Sequence, residues 1–364
     1  MDDRRILLTS FLKEQRVDAI LLSSPLSIKY YTGFHGFSHE EREGYALQTK
    51  NALYLLTSKL YEGSVQSLPG VTPLIYSQKN PFSKILQTLF KNENIQKLGV
   101  EENNLTLAEF RSLKKLIAIV PTQIRHLRMQ KTADEIRSIK KACAIADRAL
   151  AIVRPQIKTG ITEKDIASLL ENVIRKSHGE ISFRPIVAFA ENSAIPHHVS
   201  SDKKLKANDI ILIDFGAKWE GYCSDMTRTF FHGKPTDEQK KVYETVLRAQ
   251  QAAIDHLYHK LIYDTHSSKH PLKKPINASG VDNASRKYVV SKGYPAIPHS
   301  LGHGIGLEVH EPPYLGPGSK DILEEGMIFS IEPGIYLPGK FGVRIEDLFA
   351  IKNNAVVRLT NSSY

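Results

Sequence analysis

The sequence predicts two domains: a small α/β domain over residues 1–126, then an α+β domain over residues 127–364 with pseudo-two-fold symmetry. Three observations predict this. Residues 1–126 alternate strand-like and helix-like stretches. From Thr132 onward the order helix, helix, strands occurs twice, and each repeat ends in a hairpin carrying two carboxylates. A chain of 364 residues that is 41% apolar is long enough to pack a core in each domain.

In chain order, residues 4–13 have the period of an amphipathic helix and residues 19–23 form a buried strand. Residues 45–47 and 52–56 read as a pair of strands, and Asn80-Pro81 opens a helix with proline in its first turn. Residues 97–100 are a strand, and Thr106 with Glu109 forms a capping box for the next helix. The aromatic segment of residues 28–34 either packs a core near a loop or lines one wall of a cleft; both readings stand. Thr132 and Glu135 cap a long periodic helix, and Thr162 with Asp165 caps another that begins with acidic residues. Residues 183–190 are strand-like, residues 236–260 form a long helix, and residues 281–292 a shorter one. Residues 263–278 lack any period and read as an exposed insertion. The histidines around it, His256, His259, His266 and His270, fit solvated positions and receive no function.

Two hairpins carry the chemistry. Residues 210–215 are β-rich, Lys218-Trp219-Glu220-Gly221 makes a turn, and residues 222–230 run back. Folding with Trp219 opposite Glu220 puts Asp214 opposite Asp225 on one face, with Cβ atoms roughly 5 Å apart. Two like charges there, one inside an apolar strand, are costly unless a cation lies between them. The second hairpin turns around Pro338-Gly339-Lys340, and reflection about Gly339 sets Glu332 opposite Glu346. Between the hairpins, residues 299–311 hold His299, His303 and His310 among Gly302, Gly304 and Gly306, glycines that let backbone pass close to a neighbour. Four carboxylates and one of these histidines are therefore expected to close on two metal ions. That oxygen-rich set suits Mn²⁺ first, with Co²⁺, Fe²⁺ or Zn²⁺ as alternatives, rather than a Cys/His zinc site.

Composition excludes several classes. The formal charge of +10 raises a nucleic-acid partner, but basic and acidic residues are interleaved and no basic-aromatic module is visible. No run of about 18 apolar residues is present, so no membrane span is expected. The charged, amphipathic start is not a secretory signal, and Cys143 and Cys223 have neither disulfide-framework nor zinc-finger spacing. These features point to the cytoplasm.

The chain resembles the pita-bread metallopeptidases, in particular the aminopeptidase P and prolidase branch with its creatinase-like N-terminal domain. Residues 28–34 look like the strand-loop signature of that N-terminal domain, and residues 127–136 like the start of the catalytic domain. Residues 193–198, with His197, resemble the branch's substrate-side histidine segment. Asp214, Asp225, His303, Glu332 and Glu346 occupy, in order, the five ligand positions of the family. Departures are few: Phe189-Ala190-Glu191 replaces smaller residues, and the 263–278 insertion is long.

The resemblance implies a fold, a reaction and roles. The activity is hydrolysis of the bond before proline by a metal-bridged hydroxide, as an Xaa–Pro aminopeptidase or as an Xaa–Pro dipeptidase. Asp214 would hold one metal, His303 with Glu332 the other, and Asp225 and Glu346 would bridge. Glu332 would also carry the proton from water to the leaving nitrogen. His197, His299 and His310 would bind substrate or stabilise the tetrahedral intermediate, and Arg344 would orient Glu346 or a substrate carboxylate. Proline-containing peptides are the expected partners, and a homodimer is implied in which an N-terminal domain borders the neighbour's cleft. Asp225 as a turn cap, Glu346 as a partner of Arg344 and the histidines as structural groups are the plain alternatives. Two other uses of the fold, a metal-free creatine amidinohydrolase and a non-catalytic binding module, would lose ligands that are intact here.

Overall fold

The computed structural model describes residues 3–266 and 275–364, and the chain divides into two compact units, Met1–Leu127 and Arg128–Tyr364. His270 and most of the expected 263–278 insertion lie outside the described residues. Its flanks are helix up to His266 and a short strand at Ile276–Asn277, so the predicted insertion is shorter than the sequence suggests. Among the described residues no helix is long and apolar enough to cross a membrane.

The first unit is built on a six-stranded mixed sheet. Its central strand, Ala19–Leu22, is buried throughout, which is why it reads as an uninterrupted apolar run. It pairs antiparallel with Gly44–Thr49 and parallel with Lys97–Glu101. The parallel strands Lys97–Glu101 and Ala118–Thr122 are joined through the helix Leu107–Lys114. There the capping box forms: Glu109 N–H donates to the Thr106 hydroxyl at 3.2 Å, and Thr106 N–H donates to the Glu109 carboxylate at 2.7 Å. Proline at residue 81 sits at the N-cap of the helix Phe82–Asn92, one step earlier than expected.

The aromatic segment is helix, Pro25–Thr32, and not a strand and loop. Pro25 suits the first turn, and Gly33 at φ 77° ends the helix in the left-handed region. Ile28, Tyr30 and Tyr31 are buried in it. The buried Glu101 anchors its start, accepting from Ser24 N–H at 2.7 Å and the Ser27 hydroxyl at 2.5 Å. A carboxylate at a helix N-terminus satisfies donors that have no partner within the helix.

The second unit repeats one plan twice. In the first half the helices Ala133–Val153 and Glu163–Lys176 cover a sheet of Ile186–Phe189, Ile210–Phe215 and Met226–Phe231, around an apolar core that includes Leu150, Leu170 and Ile213. In the second, Asp237–His266 and Ala278–Ser291 cover a five-stranded sheet centred on Ile328–Ile331, around a separate core that includes Val246, Val281 and Phe329. Both expected capping boxes, Thr132/Glu135 and Thr162/Asp165, are present.

The halves meet along Met226–Phe231 and the segment from Arg344 to Asp347. Glu346 N–H donates to the Thr227 carbonyl at 3.1 Å, and the Thr229 hydroxyl donates to the Arg344 carbonyl at 2.8 Å. Arg228, the largest fully buried side chain, crosses this seam. It donates to the carbonyls of Thr227, Glu346 and Ser362 and to Asp347 Oδ1 at 2.6 Å. Asp347 also accepts from Thr360 and Tyr364, so this ion pair has its remaining valences filled.

Two expectations follow. Arg228→Ala leaves Asp347 buried without its counter-charge and should lower stability by about 3–5 kcal/mol, read as a fall in the denaturant midpoint. In the first unit, burial works against ionisation of Glu109, but donors on Arg42, Tyr45 and Thr106 outweigh it and hold the carboxyl at about 2, against 4.5 unfolded. A depressed folded value stabilises fully above the unfolded one and is lost as pH falls toward the folded one. The thermal midpoint should therefore fall between pH 4.5 and about 2, and Glu109→Gln should flatten that part of the profile.

Candidate metal centre

The first carboxylate pair forms, but in a register two residues from the expected one. Trp219 faces Tyr222 and Asp214 faces Thr227, not Asp225. The turn consists of Glu220 and Gly221 alone, both in the left-handed region at φ 52° and 86°. Such two-residue turns match strand twist, and Glu-Gly is not the usual sequence signal for one. A slip of two residues preserves the face, so Asp225 still lies on the side of Asp214. The strands are tight here: a Cβ on Gly216 would lie 1.9 Å from the Ser224 carbonyl oxygen.

The second hairpin has the expected register. Gly334 faces Arg344 and Leu337 faces Phe341, while Ile331 faces Asp347 in the adjoining ladder. Glu332 and Glu346 stand opposite one another in the short break between those ladders. His303 lies on the strand Gly302–Gly304, squeezed between Glu311–Leu315 and Ile328–Ile331. A Cβ on Gly304 would sit 2.3 Å from the Pro312 carbonyl oxygen, which is the close approach the glycines imply.

The structure brings the five candidate ligands together. Asp214, Asp225 and Glu346 each place a carboxylate oxygen within 4.8 Å of the others, and a ring nitrogen of His303 lies as close to carboxylate oxygens of Glu332 and Glu346. The same five line one cavity of about 550 Å³ with His197, His299, His310 and Arg344. His303 Nε2 lies 3.2 Å from Glu332 Oε1 and 3.7 Å from Asp225 Oδ2. Its Nδ1 is 3.1 Å from the Gly304 carbonyl, which can hold a proton there when Nε2 exchanges its contact with Glu332 for a metal.

Three oxygens decide what the cluster is for. Asp214 Oδ1, Asp225 Oδ1 and Glu346 Oε1 are buried and have no hydrogen-bond partner among the described residues. Burial, with Glu346, Asp214 and Glu332 close by, drives the Asp225 carboxyl far above the usual carboxylate range. Burial, Glu332 and Asp214 do the same to Glu346. Asp214 rises on burial, against the pull of Arg344. Glu332 behaves oppositely: burial resists its charge, but the bond from His303 prevails and holds it at about 2. Three orphaned, crowded carboxylate oxygens beside an imidazole fit hard divalent cations.

Around these lies a network that the sequence shows only in part. Arg344 donates to Asp214 Oδ2 at 2.6 Å, to the Tyr336 hydroxyl at 2.8 Å, to the Thr227 hydroxyl at 3.1 Å and to the Pro196 carbonyl at 3.3 Å. It thus orients Asp214 directly, and Glu346 only through Thr227, whose hydroxyl donates to Glu346 at 2.7 Å. Tyr336 also meets His299 Nε2 at 2.9 Å. Thr227 and Tyr336 were not singled out in the sequence. The two-residue alternation that places Arg344 beside Glu346 extends across the hairpin to Tyr336, and from Asp225 to Thr227, and could have found both.

The substrate histidines occupy the rim and wall. The His310 ring packs edge-on against His303 with centroids 4.2 Å apart, and His310 is exposed. His197 is exposed and lines the same cavity, next to Pro196. Burial, aided by Arg344 and His197, lowers the His299 value despite Glu332. Phe189 lies in the apolar core, and neither it nor Ala190 nor Glu191 is among the cavity-lining residues. His259 is not among the lining residues either.

Comparison with known proteins agrees with this geometry. The model of the creatinase/prolidase N-terminal domain matches residues 4–130, and that of metallopeptidase family M24 matches residues 137–353. A Staphylococcus aureus protein named as an uncharacterized peptidase is 34% identical over 360 residues, 96% of each chain. Among solved structures, an Xaa-Pro dipeptidase from Bacillus anthracis superposes with a TM-score of 0.88 at 34% identity, over 99% of this chain and 98% of that one. An X-Pro aminopeptidase from Thermotoga maritima gives 0.81 at 33%, over 95% and 96%, and the prolidase from Pyrococcus furiosus 0.83 at 31%, over 98% and 100%. With a creatinase-type N-terminal domain ahead of a pita-bread catalytic domain, the chain is a hydrolase belonging to metallopeptidase family M24.

Proposed function

We propose that the chain hydrolyses the peptide bond preceding proline, as an Xaa–Pro aminopeptidase that takes two divalent ions, Mn²⁺ first. The observation that carries this reading is the set of three partnerless carboxylate oxygens buried beside His303 in one cavity. Asp214, Asp225, His303, Glu332 and Glu346 would hold the ions. When bound, such ions supply Lewis acidity and lower the pKa of water toward neutrality. Glu332, which lines the cavity beside His303, would accept the proton of the attacking water and return it to the leaving nitrogen. His299, His310 and His197 would hold the scissile carbonyl and the flanking backbone as charge develops on the carbonyl oxygen. Arg344, with its nitrogens engaged by Asp214, Tyr336, Thr227 and Pro196, would fix a ligand instead of a substrate carboxylate.

An Xaa–Pro bond offers no N–H, and this arrangement requires none from the substrate. A dipeptidase is the second reading, favoured by the names of the Bacillus anthracis and Pyrococcus furiosus structures. A cytoplasmic homodimer belongs to the same proposal; both cysteines are buried and unpaired, as a reducing compartment allows.

Purified protein with Mn²⁺ or Co²⁺ should cleave Xaa–Pro–Yaa peptides, and the ratio to Xaa–Pro dipeptides decides between the two readings. Turnover of Met–Ala–Ser alone would overturn both. A chelator should abolish turnover and re-added metal restore it. Asp225→Asn should abolish it and His259→Ala leave it intact. Metal at about 100 times its Kd should stabilise the fold by about 2.7 kcal/mol, and Asp225→Asn should lose most of that rise in the thermal midpoint.

A further inference from the structure

The wall segment that presents His197 is irregular and weakly held by apolar packing. It runs from the end of the strand Ile186–Phe189 through a single 3-10 turn, Ala190–Ala194, and Ala190 adopts φ 48°. On either side of His197, Ile195 and Val199 are 53% and 64% exposed. Most of the polar contacts that hold the segment lie outside the cavity.

Glu163, the first residue of the helix Glu163–Lys176, is 0% exposed and gathers both ends of the segment onto one carboxylate. Its Oε1 accepts from Phe189 N–H at 2.9 Å and from Asn192 Nδ2 at 2.8 Å. Its Oε2 accepts from Ser201 N–H at 2.8 Å, from the Ser201 hydroxyl at 2.7 Å and from His198 Nε2 at 2.8 Å. The His198 ring thereby turns inward, with its side chain 11% exposed, while its neighbour His197 faces the cavity. Arg344 contributes from the opposite side through the Pro196 carbonyl.

We infer that Glu163 is a positioning residue for the reaction, setting His197 on the cavity wall through His198 and Ser201. The inference rests on the proposed role of His197 in substrate binding. Glu163 touches neither the candidate ligands nor the cavity, so its influence must pass through the segment. Gln at this position keeps the shape but turns an N–H group toward the Ser201 donors, opening one end of the staple. Removing the His198 ring cuts the link nearest His197 and leaves the other four bonds of Glu163 in place.

A double-mutant cycle tests this in the Mn²⁺-loaded full chain. E163Q and H198A should each lower kcat/KM for an Xaa–Pro–Yaa peptide about 10- to 100-fold, as displacement of a substrate-holding group by an ångström does. Mn²⁺ affinity by titration calorimetry should be unchanged. In the H197A background neither substitution should cost more, because the group they position is gone. Losses that multiply in H197A/E163Q and H197A/H198A, or a fall in Mn²⁺ affinity, would overturn the inference. Should E163Q fail to fold, H198A carries the cycle. Absence of turnover in the unsubstituted chain would sink the proposed function instead. The imidazole ¹⁵N spectrum then decides the positioning role: H198A should shift the His197 ring resonances and leave those of His303 in place. Unmoved His197 resonances would refute it.

Discussion

Everything in the catalytic unit answers to one constraint: carboxylates that would repel one another are held with oxygens within 4.8 Å of each other inside the protein. Asp225 and Glu346 are 4% and 1% exposed, and each keeps an oxygen for which the described residues supply no donor. Arg344 is the cation that the chain itself brings to this cluster, and it is directed at Asp214. Such crowding is unfavourable for the apo fold and becomes favourable only when divalent charge enters. The stability needed to maintain it must come from elsewhere in the unit.

The seam between the two halves meets that need. Each half has its own apolar core, so each can hold its hairpin rigid. Arg228 then ties the strand that follows Asp225 to the strand that follows Glu346, through backbone carbonyls as well as Asp347. Thr227 sits between the same strands, linking Arg344 to Glu346 by its hydroxyl while its carbonyl receives Glu346 N–H. The residues that alternate with the ligands along these strands are therefore the ones that fix ligand spacing. A loop-borne site would lack this double anchorage.

Much of this was legible in the sequence because two-residue periodicity survives errors of register. The Gly339 hairpin was placed correctly, and the Glu220-Gly221 hairpin was misplaced by two residues, yet both bring their acids to one face. The capping boxes at Thr106, Thr132 and Thr162 were equally plain, since their donors and acceptors lie three residues apart. Contacts between residues far apart in sequence were not. That residues 25–32 form a helix depends on Glu101, more than 70 positions away, filling its first turn. Arg228 looks like an ordinary strand residue until Asp347 and Ser362 arrive beside it.

Glu163 and Glu346 show why residue type and burial do not by themselves fix a carboxylate's task. Both are essentially inaccessible, at 0% and 1%. Burial raises the pKa of each, but around Glu163 the donors of Ser201, His198, Phe189 and Asn192 more than compensate, and its carboxyl is held below the usual value. Around Glu346 the neighbours are Glu332 and Asp214, whose charges add to the effect of burial, with the Thr227 hydroxyl and Arg344 in weaker opposition. The first environment completes an anion's coordination with N–H and O–H groups and so makes a structural anchor. The second withholds those groups and leaves lone pairs pointing into a cavity, which is the condition for binding a cation. The distinction lies in which atoms face the carboxylate, so the same side chain can staple the cavity wall in one place and await a metal in another.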